Sequence, residues 1–292
     1  MEGKKAINRQ SFSEKMKSYR KHPGSFLLLL LVLMAAFITV ATLLFLVGYV
    51  LVSGAPHLKP SLFAWKYTSE NVSMIPAILN TVEMVLIALL FAVPFGVGAA
   101  IYLVEYAKKG NKLVGLVRLT AETLTGIPSI IYGLFGMLFF GVALGWGYSM
   151  LSGAMTLAIM VLPTIMRTTE EALLSVPDSY REGSFGLGAG KLRTVFQIVL
   201  PAAIPGILSG VILSIGRIVG ETAALIYTAG TVAGLAGVMD SGRTLAIHMY
   251  VLSNEGMHKN EANATAVVLL LIVLGINAVS GKLAKKLEAP EV

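Results

Sequence analysis

The sequence predicts an all-α integral membrane protein with six transmembrane helices. Three observations carry that expectation. Only 13% of the 292 residues are charged and 55% are hydrophobic, whereas a soluble domain averages roughly 25% charged. Six windows are apolar over 17 residues or more, near the ~20 that a helix needs to cross about 30 Å of hydrocarbon. Lysine and arginine, finally, concentrate in alternate connections, as the positive-inside rule requires of a threaded chain.

The elements follow in order. Residues 1–25 form a basic arm carrying Lys4, Lys5, Arg9, Lys15, Lys17, Arg20 and Lys21. The first span, Phe26–Val52, holds 27 residues without an ionisable side chain. That greatly exceeds the apolar stretch of about 7–15 residues in a signal peptide, so 26–52 reads as an uncleaved helix. The remaining spans are Ala77–Val104, Leu124–Leu144, Met150–Met166, Ala202–Thr228 and Ala264–Ser280. Recurring prolines (Pro76, Pro128, Pro163, Pro201, Pro205) suit helix starts or kinks inside a bundle. On this threading 18 of the 23 basic residues share one side, four (Lys59, Lys66, Arg243, Lys259) lie on the other, and Arg217 is left within a span. Both termini are then cytoplasmic, with a tail over 283–292.

The same asymmetry accounts for the formal charge of +7 without any nucleic acid. With no cysteine, disulfides and thiol nucleophiles are excluded. The four histidines share no metal-ligand spacing, and no convergent nucleophile and base mark an enzyme; neither metal nor cofactor is expected.

The connection 167–201 is too ordered in pattern for a linker. Ser175-Val-Pro-Asp178 fits a capping box that starts a short helix running to about Leu187. Gly188 can end it in the left-handed conformation, and Lys191–Val199 can form a second helix leading to Pro201. Gly186-Leu-Gly188-Ala-Gly190-Lys191 is no phosphate-binding loop, because Phe185 stands where that motif needs glycine and Leu192 where it needs Ser or Thr. Any ATP energy must therefore come from another polypeptide.

The elbow reads Glu182-Gly183-Ser184, three residues, Gly188, nine residues, Ile198-x-Leu200-Pro201. This resembles the Glu-Ala-Ala loop of ABC importer permeases, with Gly183 and Ser184 in place of two alanines. The resemblance implies that the loop docks on an ATP-hydrolysing subunit, small residues permitting close approach.

Charges inside the spans are the remaining candidates, since each is costly in hydrocarbon. Gly206, Gly210, Ser214, Arg217 and Glu221 fall within about 80° of one another at 100° per residue. If the helix is continuous, Arg217 and Glu221 are neighbours on a face of small residues. The guanidinium then offers planar donors to a tetrahedral oxyanion, with Glu221 holding it while the site is empty. The alternative is a structural ion pair between helices. Glu83 in span two is a weaker pathway candidate, and Glu122 weaker still, because each could reach an interface by snorkelling.

Longer stretches resemble the phosphate-specific (Pst) branch of these permeases. They are Pro94 to Ala107, Gly126-Ile-Pro-Ser-Ile-Ile-Tyr-Gly-Leu-Phe135 and Gly216-Arg-Ile-Val-Gly-Glu-Thr-Ala-Ala-Leu225. Ala223 after Thr222 favours the A-type over the C-type subunit. The similarity implies a MetI-like permease core over 76–282, with 26–52 as an amino-terminal addition. It further implies a C-type permease partner, two copies of a cytoplasmic ATPase and an external phosphate-binding protein, for which 230–263 is the longest outer surface. Rival readings are a permease for molybdate or sulfate, the C-type subunit itself, and an ATP-independent secondary anion transporter.

Overall fold

The computed structural model describes residues 23–108 and 110–287. The basic arm with its seven cations, Lys109 and residues 288–292 of the tail lie outside them. Eleven helices are present among the described residues: α1 (Pro23–Gly54), α2 (Ile75–Ile101), α3 (Lys112–Thr125), α4 (Ser129–Gly136), α5 (Met150–Ser175), α6 (Asp178–Gly186), α7 (Lys191–Thr194), α8 (Leu200–Gly220), α9 (Ala223–Thr228), α10 (Leu245–Glu255) and α11 (Lys259–Leu287). Wide π turns extend α2 over Tyr102–Tyr106 and α4 over Met137–Ala143, and join α7 to α8 over Val195–Val199. No strand occurs among the described residues.

The chain divides into two compact units, Met1–Val52 and Ser53–Val292. The first contributes most of α1, whose 32 residues form an apolar rod about 48 Å long at 1.5 Å per residue. The second is built on α2 packed against α5, with α8 packed against α5 and also touching α2. Glycine sets the approach of the first pair, since a Cβ on Gly96 would meet Ile165 Cγ2 at 2.9 Å. The central core joins Met84, Leu157, Met160, Ile218 and Leu225; a second apolar cluster sits at the α5–α6 elbow, and a third at the opposite end under α10.

Hydropathy locates the spans, but the helices differ from them at two breaks. Five helical runs are long and apolar enough to cross a membrane, and a sixth crossing requires counting α3 and α4 together. Those two meet at 103°, at Gly126-Ile127-Pro128, because Pro128 at the N-cap of α4 cannot continue α3. Span five breaks as well: α8 stops at Gly220, Glu221 is extended (φ −73°, ψ 130°), and α9 begins at Ala223. Conversely α5 runs on to Ser175, so the elbow begins nine residues later than hydropathy suggests.

Candidate functional site

At the elbow, α6 stops where glycine permits. Gly188 adopts φ +82°, and its N–H donates to the Phe185 carbonyl at 2.9 Å, the left-handed ending that the sequence suggests. The capping box is not formed. Ser175 remains in α5 and its hydroxyl donates to Ala172 O, while Pro177 occupies the N-cap of α6 with no side-chain hydrogen bond. The helix that follows is continuous through Pro201. A wide turn just before it accommodates a ring that would clash with the carbonyl four residues earlier in a regular helix.

The elbow is anchored on one side and bare on the other. Arg181 donates from Nη2 and Nε to Glu105 at 2.8 and 3.0 Å, and also to the carbonyls of Leu173 and Val176 that end α5. Ser184 and Thr194 hydroxyls lie 2.8 Å apart, joining α6 to α7, and Lys191 Nζ sits 5.1 Å over the Tyr106 ring. On the free side Glu182 and Gly183 are exposed, with Phe185, Leu192 and Ile198 exposed and Leu187 exposed at 91%. Leu200 is half-buried and Pro201 exposed. A Cβ on Gly183 would meet nothing within 4 Å. Among the described residues nothing therefore requires a small residue there.

Beside the elbow, α3 and α5 enclose a cleft of about 300 Å³ lined by Arg118, Glu122, Arg167, Glu170 and Glu171. Arg118 pairs with Glu170, and Arg167 with Glu122 at 3.7 Å and Glu171 at 3.4 Å. Glu122 thus belongs to an exposed ion-pair belt.

The intramembrane candidates are arranged differently from the continuous-helix expectation. Gly206 and Gly210 pack against Ala172 and Thr168 of α5, and Ser214 is buried with its hydroxyl on Gly210 O. That part of the stripe serves packing within the chain. Glu221 has left the helix, and its carboxylate accepts from Ala224 N–H at 3.1 Å, capping α9. Arg217 and Glu221 form no ion pair among the described residues, because the helix break at Gly220 removes the one-turn spacing that would hold them together.

Arg217 remains in the last turn of α8, where carbonyl groups at the helix end favour a cation. It is half-buried and makes no hydrogen bond or ion pair among the described residues. Gly216 and Gly220 beside it face open space. Tyr132 of α4 lies close enough to feel its charge, and Gly133 packs on the Ala224 backbone. The 126–135 and 216–225 stretches are therefore one structural unit. Glu83 is half-buried on α2, and no hydrogen bond or ion pair joins it to Arg217. No cluster fit to hold a metal occurs among the described residues.

Sequence reasoning missed Arg181 and Glu105, the anchor of the elbow. A helix-terminal carboxylate closing a membrane span and an arginine beside the Glu182 motif were the available signals; their pairing across 76 residues was not.

Residues 92–289 match the family described as binding-protein-dependent transport system inner membrane component. The chain is 32% identical over 268 residues to the probable ABC transporter permease protein YqgI of Bacillus subtilis (strain 168), covering 84% of this chain and 89% of that protein. It is 34% identical over 205 residues to the phosphate transport system permease protein PstA of Mycobacterium leprae (strain TN), covering 69% and 67%. Its fold matches a chain of the inward-facing MetNI methionine ABC transporter with a TM-score of 0.62 at 21% identity, covering 73% of this chain and 95% of that one.

Proposed function

This chain belongs to the family of binding-protein-dependent transport system inner membrane components, and from that premise we propose that it is the A-type permease of an ATP-driven importer of inorganic phosphate. As an ABC importer permease it is a multi-pass membrane protein with a MetI-like fold. In the proposed arrangement both termini and the elbow face the cytoplasm. The chain lines half of a pathway whose other half comes from a C-type subunit, while a phosphate-binding protein delivers cargo from outside. ATP is hydrolysed by two copies of a separate subunit.

Arg217 carries the substrate reading. A permanently charged, half-buried guanidinium beside two open glycines, with no internal acceptor among the described residues, is suited to a tetrahedral oxyanion in passage. The named PstA relative supports phosphate as that anion. The bare face around Gly183 and Leu187 supports docking of the ATPase, with Arg181 transmitting its movement into α2 and α5.

Uptake of labelled phosphate into vesicles holding this chain with its co-purifying subunits tests the proposal. ATP-dependent uptake that excess sulfate and molybdate leave intact is the expected result. Uptake without ATP, or competition by either anion at equal concentration, would overturn it.

A further inference from the structure

At the end of the fold opposite the elbow, a group of buried polar side chains is left without partners. Arg243 is 4% exposed, yet among the described residues its guanidinium makes no hydrogen bond or ion pair, and Nη2 is fully enclosed. Thr244, at 1% exposure, stands at the N-cap of α10 with its hydroxyl unbonded. One turn further on, His248 is 0% exposed and neither ring nitrogen makes a hydrogen bond of good geometry among the described residues, the Val72 backbone being the group within its reach. Residues 244 and 248 share one helix face. Tyr67 joins the group, its ring 4.6 Å from Arg243 Cζ and edge-on to His248 at 6.2 Å between centroids.

Several neighbouring polar groups are engaged with one another. Asn80 donates to Gly234 O and Arg243 O and accepts from Ala236 N–H. Thr81 Oγ1 accepts from Leu245 N–H, and Arg243 N–H donates to Val232 O. Across the cluster, buried Val72 holds φ at +38°, a strained conformation for a β-branched residue of the kind that concentrates at functional positions. The nearest acidic residues in sequence give no compensation: Asp240 is committed to Gly237 N–H, and Glu70 is exposed with no ion pair. A buried cation without a counter-charge is costly, and a buried donor without an acceptor adds to the cost. An anion would supply both the counter-charge and the acceptors. Guanidinium, hydroxyl and imidazole N–H are all donors, and several oxygens on one small ligand can accept from all three.

We propose that Arg243, Thr244 and His248, walled by Tyr67, bind a small inorganic oxyanion of the phosphate class. The site is separate from Arg217 and does not depend on which anion is the cargo.

Hydrogen exchange on the purified importer complex in chloride-free buffer tests it, with inorganic phosphate as the probe. Phosphate should slow exchange over residues 60–75 and 231–250 in the parent chain and in Arg217→Gln, but not in Arg243→Gln. Thr244→Val, which keeps the charge, should raise the half-saturating phosphate concentration about tenfold, as expected for one lost hydrogen bond. Absence of phosphate-dependent protection in the parent, or the parent's protection and midpoint retained in Arg243→Gln and in Thr244→Val, would overturn the site. Equal protection by chloride would overturn its assignment to oxyanions.

Discussion

Arg181 and Glu105 meet through two hydrogen bonds, of 2.8 and 3.0 Å, across 76 residues of sequence. Their side chains are only 15% and 8% exposed, and the same guanidinium also caps the end of α5. The elbow therefore does not hang from the bundle by its two ends alone. One side chain ties α6 to the ends of α2 and α5.

Removing that side chain leaves a buried carboxylate unpaired, a change that typically costs about 3–5 kcal/mol. Arg181→Met should lower the thermal midpoint of the complex and reduce phosphate uptake more than tenfold. Glu105→Gln keeps an acceptor for the guanidinium and should be milder. Equal uptake by the parent and Arg181→Met would remove the residue from transmission.

Arg217 presents the opposite case, having no hydrogen-bond or ion-pair partner among the described residues to orphan. Arg217→Gln should abolish uptake while changing stability by no more than about 1 kcal/mol. Glu221→Leu removes the cap of α9 and should cost about 0.5–2 kcal/mol. Unfolding midpoints and vesicle uptake, measured together, separate the two residues; a large stability loss in Arg217→Gln would assign it a structural role.

Gly183 and Gly188 separate docking from folding. Gly188 needs its left-handed backbone, so Gly188→Val should destabilise the elbow. A Cβ added at Gly183 meets nothing within 4 Å, so Gly183→Leu should leave the unfolding midpoint unchanged while disrupting co-purification of the ATPase or its cargo-stimulated hydrolysis. Normal coupling in Gly183→Leu would contradict docking at this face.

His248 gives a pH dependence. Burial first, and then the Arg243 charge, push its pKa down from 6.5 to about 3, with the Val72 backbone pulling weakly the other way. Arg243 and Tyr67 are the ionisable groups that meet it. Below 6.5 the unfolded chain takes up a proton that the folded chain refuses. The stabilisation is thus complete above about 6.5 and is lost toward 3, by at most about 1.4 kcal/mol per pH unit. In phosphate-free buffer, His248→Gln should flatten the acid side of the unfolding-midpoint profile relative to the parent. Parallel profiles would show that the imidazole does not titrate differently on folding.

What the sequence disclosed tracks the range over which each interaction acts. The elbow was readable because Gly188 and its helix ending are local, and the apolar spans because hydropathy sums over many residues. That summing hides the breaks at Gly126–Pro128 and Gly220–Thr222, where two or three residues redirect the chain. The Arg217–Glu221 pairing assumed a helical phase carried across Gly220, and it ends there. Small residues at 206 and 210 signalled close packing correctly but could not say against which helix. Arg181–Glu105 and the Arg243 cluster depend on tertiary placement, so Arg243 counted in the sequence only as one of four cations on the minority side.

The bare elbow also bears on biosynthesis. Leu187 at 91% exposure, with Phe185 and Leu192 also exposed on the same elbow, presents apolar surface where lipid does not shield it in the proposed topology. Synthesised without its ATPase, the chain should display that surface to proteases and to other orphaned copies, because exposed apolar clusters invite association and triage. Docking thus sets an order of manufacture: the ATPase should be available as the permease emerges, and expression of the permease by itself should yield less protein than co-expression.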